Sequence, residues 1–99
     1  MPGLRHVVTL TFRDDTPAER LDAIVTALRA LPDTIDEIEN YELGLDAGLT
    51  EGNSTLAIVG DFASVADYEV YRDHPDHQAV INDLILEYIS GRSAVQHQR

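Results

Sequence analysis

From Arg5 to Arg13 the side chains alternate, with His6, Val8, Leu10 and Phe12 on one side of an extended chain and Arg5, Val7, Thr9, Thr11 and Arg13 on the other. This period of two predicts a first strand with His6 on its apolar face. The period then lengthens. Thr16-Pro17-Ala18-Glu19 has the form of a capping box with proline at the first helical position, and Leu21, Ile24, Val25 and Leu28 follow at helical spacing. Leu31-Pro32-Asp33 stops this helix, because proline cannot continue the hydrogen-bond ladder. Alternation returns from Ile38 to Leu45, with Tyr41, Leu43 and Leu45 facing away from Asn40, Glu42 and Gly44. Asp46 to Ser54 has two glycines and no period, and reads as a hairpin loop, with a lid as the second reading.

Thr55 to Phe62 is apolar on both sides, with Leu56, Ile58 and Phe62 opposite Ala57 and Val59, as expected of a central strand covered on both faces. Ser64-Val65-Ala66-Asp67 is a second capping signal, and the helix it opens runs through Tyr68 and Tyr71 to a break at His74-Pro75. A further helix is predicted from there to Gly91, with His77, Val80, Ile81, Leu84 and Tyr88 on one sheet-facing stripe. Ser93 to His97 is expected as a weak last strand. The order β-α-β-β-α-β is that of an α+β, ferredoxin-like domain spanning residues 1–99, an antiparallel sheet of four strands with its helices on one face. Val7, Thr9, Ala57 and Val59 then lie on the other face, where a second copy of the chain would bury them.

With 99 residues the chain builds one core, and its 18 acidic against 7 basic residues give a net charge of −11. That field repels phosphate backbones and anionic membranes, so no nucleic-acid or membrane partner is expected. The acids at Asp14-Asp15 and from Asp33 to Glu42 read as a solvated face. The absence of cysteine excludes disulfides, a thiol nucleophile and thiolate metal sites. Met1 to Arg5 contains no apolar leader and the longest apolar run is Leu56 to Val59, from which a cytoplasmic location is expected.

The candidate chemistry lies in Tyr71-Arg72-Asp73-His74-Pro75-Asp76-His77, read with His6. An imidazole exchanges protons near neutral pH, and a phenol can donate a hydrogen bond to developing negative charge. His6 and His77 both fall on sheet-helix apolar faces and are expected to approach one another, with Tyr71 beside them. The structural alternative is a helix-capping His74 and two core histidines satisfied by a backbone carbonyl or by Tyr71. Asp73, His74, Asp76 and His77 also offer ligand atoms, but the proline should splay His74 from His77, and no metal site is assigned. His97, near the C-terminus among glutamines, is given no role.

Arg5-His6-Val7-Val8, Leu28-Arg29-Ala30-Leu31-Pro32, Asp61-Phe62, Tyr71 and His74-Pro75-Asp76-His77-Gln78-Ala79-Val80 together resemble the stress-responsive α/β barrel (Dabb) family of the dimeric α+β barrel superfamily, over nearly the whole chain. The resemblance implies a homodimer in which two four-stranded sheets pack face to face as a barrel with the helices outside. It implies a protein of unassigned activity, with room for a small hydrophobic or keto-containing ligand between sheet and helices. The resemblance extends to a plant polyketide cyclase, an intramolecular aldol catalyst without cofactor. On its pattern His77 would abstract a methylene proton, Tyr71 would orient it or bond the enolate oxygen, and His6 would polarise a carbonyl. Cofactor-free monooxygenases share the same dimeric architecture and form another alternative.

Overall fold

Strand β1 (Leu4–Phe12) buries Leu4, His6, Val8, Leu10 and Phe12 on one face and leaves the intervening residues half-covered, the alternation expected of it. This computed structural model describes residues 3–99; Met1 and Pro2, the first residues of the segment read for a leader, lie outside the described residues. β2 (Ile38–Leu45), β3 (Leu56–Phe62) and β4 (Ile89–Gln98) complete a four-stranded antiparallel sheet in the order β2-β3-β1-β4. The two apolar strands are central and the two polar strands form the edges. Helices α1 (Ala18–Arg29), α2 (Val65–Asp73) and α3 (Pro75–Val80) pack on the face that carries Val8, Leu10, Ile58 and Phe62, with Ile24, Leu28, Tyr71 and Val80 as their buried contributions.

Helix starts differ in how well local sequence foretells them. Ser64 caps α2 as expected, its hydroxyl accepting from the Asp67 N–H at 3.1 Å. The capping box at Thr16 does not form, because the Thr16 hydroxyl donates instead to the Arg13 carbonyl at 2.6 Å, and Pro17 becomes the N-cap of α1. The chain breaks at His74-Pro75 as expected, and the His74 Nδ1 accepts from the Asp76 N–H at 3.1 Å to cap α3.

The helix expected to run to Gly91 is shorter. After α3 comes one wide π-helical turn, Ile81–Ile85, and β4 begins at Ile89, so Gly91 lies within the strand, opposite Thr11 beside a bulge. Two arginines from the other end of the chain account for the early stop. Arg20 donates to the Leu84 carbonyl and Arg13 to the Glu87 carbonyl, each at 3.1 Å, while the Arg13 N–H bonds the Tyr88 carbonyl at 2.9 Å. Their guanidinium groups stand 4.9 and 5.2 Å from the centre of the Tyr88 ring. The terminal carbonyls that a longer helix would have used are thereby satisfied, and the freed chain adds to the β1 edge.

A bulge at Glu39 brings Ile38 onto the same face as Tyr41, so that Ile38 joins the core beside Tyr41 and Leu43, while Leu45 at the other end of β2 is exposed. The 46–54 loop is a hairpin connection: the Asp46 carboxylate accepts from the Gly48 N–H and the Asn53 amide, and Gly48 and Gly52 take the positive φ that glycine tolerates.

On the sheet face opposite the helices, Val7, Ala57, Val59 and Val95 remain partly or wholly exposed. Asp61 shares this face yet is only 2 % exposed, because Arg5 covers it with a two-pronged pair at 2.7 and 3.1 Å and Arg99 approaches to 3.8 Å. The Arg5 hydrogen bond holds the Asp61 carboxyl below its usual range against the opposing cost of burial. Among the described residues no helix is long and apolar enough to cross a membrane.

Candidate functional site

A cavity of about 260 Å³ opens between the β1–β4 side of the sheet and the helices. Val8, Leu10 and Ile58 contribute from the sheet, Leu28 from α1, and Ile81, Ile85 and Leu86 from the turns after α3. Its polar groups are His6, Tyr68, Tyr71, Arg72, His77, Gln78 and Arg92. The three residues singled out from the sequence therefore meet at one apolar cavity. The Tyr71 and His77 rings stack with centres 4.2 Å apart, and the His6 ring lies 6.2 Å from that of Tyr71 and 5.1 Å from that of Tyr68.

Strand pairing positions His6. It stands across from Gly60 on β3 and Gln96 on β4, so one neighbour has no side chain and the other supplies an amide. The Gln96 Nε2 lies 2.8 Å from His6 Nδ1. An amide NH₂ can only donate, so Nδ1 accepts and the proton of the neutral ring resides on Nε2. His77 has the opposite tautomer. Its Nδ1 is 3.0 Å from the Arg72 carbonyl, which can only accept, so Nδ1 carries the proton and Nε2 keeps its lone pair. The Gln78 amide donates to the same carbonyl at 2.7 Å, fixing the acceptor just before the His74-Pro75 break.

Burial sets the charge state of both rings. It is the main cause that lowers the His6 pKa to about 4, with Arg92 and then His77 adding to the effect. Burial also lowers the His77 pKa, against a weaker upward pull from the Arg72 carbonyl. Both imidazoles are thus neutral at pH 7, one offering an N–H and the other a lone pair. Tyr71 is differently employed. Its hydroxyl is 2.9 Å from that of Tyr41, and burial pushes the Tyr71 phenol above its usual range and the Tyr41 phenol up to about 12. Tyr71 is therefore a neutral platform under His77, with its hydroxyl occupied by another tyrosine.

Tyr41, Gln96 and Arg92 are site residues that the sequence reading did not single out. The alternation of β2 already placed Tyr41 with the apolar positions, but its partner across the core had no local signal. Gln96 and Arg92 sit in a polar segment whose strand character comes from pairing with β1. Of the other atoms in the 73–77 segment, the Asp73 carboxylate pairs with Arg72 at 2.9 Å, and the His74 and His77 Nδ1 atoms make the bonds described above. The ring of exposed His97 contacts the neighbouring Gln98 carbonyl at 3.0 Å.

A neutral buried His6 makes stability depend on pH. Its folded pKa of about 4 lies below the ordinary 6.5, so the unfolded chain binds a proton that the folded one refuses between these values. Its contribution to stability should be fully present above pH 6.5 and decline on acidification toward pH 4. The gap, at about 1.4 kcal/mol per pH unit, amounts to roughly 3 kcal/mol. Urea unfolding followed across this range should show a decline that His6→Gln reduces; an equal decline in both proteins would contradict the buried neutral assignment.

Residues 4–97 match the sequence pattern of the Stress responsive A/B Barrel Domain family, Dabb. The crystal structure of a dimeric ferredoxin-like protein of unknown function from Thermobifida fusca is 35% identical, with 99% of this chain and 92% of that one covered at a TM-score of 0.90. A second dimeric protein of unknown function with a ferredoxin-like fold, from Bacteroides fragilis, is 27% identical, with 98% and 96% covered and a TM-score of 0.82. A hydroxynitrile lyase from Passiflora edulis shares the fold at 18% identity, with 98% and 93% covered and a TM-score of 0.84. No curated protein matches the chain in sequence. With the family pattern spanning all but a few residues and the β-α-β-β-α-β sheet in place, the chain belongs to the stress-responsive A/B barrel (Dabb) domain family.

Proposed function

We propose that this protein is a homodimer, paired through the open sheet face, in which each subunit holds a small apolar carbonyl compound and moves a proton on it. The observation that carries the reading is the presence of His6 and His77 at one cavity with opposite partners at Nδ1, an amide nitrogen and a carbonyl, which leave an N–H on His6 Nε2 and a lone pair on His77 Nε2. His77 Nε2 would take a proton from the carbon beside the carbonyl. The C–H electron pair would move into the enolate, and the His6 Nε2–H would donate to its oxygen. Tyr71 acts as a positioning residue by stacking on His77, and the Arg72 carbonyl stabilises the imidazolium formed in the step. The same proton returns to carbon or to a product oxygen, so the cycle needs side chains alone.

The cavity lies just under the roughly 300 to 1,000 Å³ of typical small-molecule sites, which favours a compact ligand. An aldol cyclase would ask the same pair to serve a longer, folded poly-keto chain, and a cavity of this volume supports that reading less well. For the dimer, support comes from the partly or wholly exposed Val7, Ala57, Val59 and Val95 and from the dimeric Thermobifida fusca relative.

Two measurements test these parts separately. Sedimentation equilibrium should give twice the mass of the chain, and Val59→Glu, which sets a charge in the middle of the open face, should give the monomer; a monomeric parent protein would remove the dimer. Phenylacetone in D₂O at pH 7 should lose its α-protons faster with protein than in buffer, as followed by proton NMR. His77→Ala should reduce that acceleration by about 10² to 10⁴-fold. An exchange rate equal to that of buffer, or unaltered in the variant, would overturn the acid-base reading.

A further inference from the structure

All seven basic side chains of this protein are arginines, and six of them have evident structural partners. Arg5 and Arg99 approach Asp61, Arg13 pairs with Asp15, Arg20 with Glu87 and Arg72 with Asp73, while Arg29 donates to the Leu43 carbonyl. Arg92 differs. Among the described residues its side chain has neither a hydrogen bond nor an ion pair, and it lines the cavity. Strand register explains its location: Arg92 pairs with Leu10 as Gln96 pairs with His6, so Arg92, Ala94 and Gln96 share the helix-side face of β4, with a small residue between the two polar ones.

Charge makes this placement informative. The chain carries 18 acidic residues, yet among the described residues no acidic side chain lines the cavity. A protein of net charge −11 repels anions at long range, so an anionic ligand needs a local cation, and every arginine other than Arg92 and Arg29 is within reach of an acidic side chain. Arg72, the second arginine of the cavity, is held by both carboxylate oxygens of Asp73 at 2.9 and 3.0 Å and has Glu69 at 4.0 Å. Its charge is largely answered. Arg92 is left as the one guanidinium of the cavity able to receive a carboxylate in two-pronged geometry. It lines the same cavity as His6 and His77, and its charge adds to the burial that keeps His6 neutral.

We propose that the ligand is a small keto acid, with its apolar body in the cavity, its ketone between His6 and His77, and its carboxylate on Arg92. This inference rests on the proposed carbonyl site and adds the chemical class of ligand. Arg92 and Gln96 stand four residues apart on one strand, about 13 Å along the backbone. Arginine's long side chain shortens this span, which suits a carboxylate separated from the ketone by a few carbon atoms.

The test compares 4-oxo-4-phenylbutyrate with its carboxamide, a pair of similar shape that differs in charge, by isothermal titration calorimetry at pH 7. The acid should bind at least 10-fold more tightly than the amide to the parent protein, equivalent to about 1.4 kcal/mol. Arg92→Gln should bring the two to within about twofold, whereas Arg92→Lys should keep part of the preference. Arg72→Gln should retain it, because that arginine is already paired. Circular dichroism verifies that each variant is folded, which is expected because the Arg92 and Arg72 side chains are both solvent-exposed at the cavity mouth. Equal binding of acid and amide to the parent protein, or a preference that survives Arg92→Gln, would overturn the keto-acid assignment while leaving the carbonyl site standing. Failure of both compounds to bind would remove the site and the assignment together.

Discussion

Antiparallel pairing of β1 with β3 on one side and β4 on the other is the constraint on which the site depends. It fixes which face of β1 is buried, and therefore that His6 enters the core with Val8, Leu10 and Phe12. The same register sets Gln96 beside His6 and Arg92 beside Leu10. A slip of one residue would turn His6 toward the open face and turn Gln96 away with it, because side chains alternate strictly along a strand. The catalytic-type geometry is thus a property of sheet register more than of any local motif. Phe62 and Tyr71, packed with ring centres 5.1 Å apart, fill the core behind the site and leave the cavity on the β4 side.

Burial then gives the two histidines different uses. In water each ring would interconvert between tautomers and titrate near pH 6.5. Inside the cavity the charged form is disfavoured, and the single hydrogen bond at each Nδ1 decides where the proton sits. An amide donor at His6 and a carbonyl acceptor at His77 produce opposite outcomes from identical side chains. Tyr71 contributes shape and a low-dielectric surface, and its hydroxyl is satisfied by Tyr41 without competing for a ligand.

Much of this was legible in the sequence because it is encoded by local periodicity. The alternation around His6, the helical spacing of Leu21, Ile24, Val25 and Leu28, the Ser64 cap and the His74-Pro75 break all appear in the fold as their patterns suggest. His77 reaches the cavity because it shares a helical stripe with Val80 and Ile81. What escaped depends on partners distant in the chain. The C-terminal helix is cut short by Arg13 and Arg20, which lie 74 and 64 positions away from the carbonyls they bond. The weak last strand expected at Ser93 to His97 does form within β4, but nothing in its own pattern sets Gln96 beside His6 or extends the strand back to Arg92 beside Leu10. Thr16 has the right neighbours for a cap, but the Arg13 carbonyl captures its hydroxyl first. The Tyr41–Tyr71 contact joins residues 30 positions apart, and nothing in either local pattern names the other.

The central claim is that His6 and His77 are neutral, oppositely oriented tautomers at one cavity. Long-range proton–nitrogen NMR correlation of the histidine side chains, on ¹⁵N-labelled protein at pH 7, tests it most directly. The spectrum should show His6 protonated on Nε2 and His77 protonated on Nδ1, each with one pyrrole-type and one pyridine-type nitrogen. A charged imidazolium at either residue, or the same tautomer at both, would contradict the assignment of one as base and the other as donor.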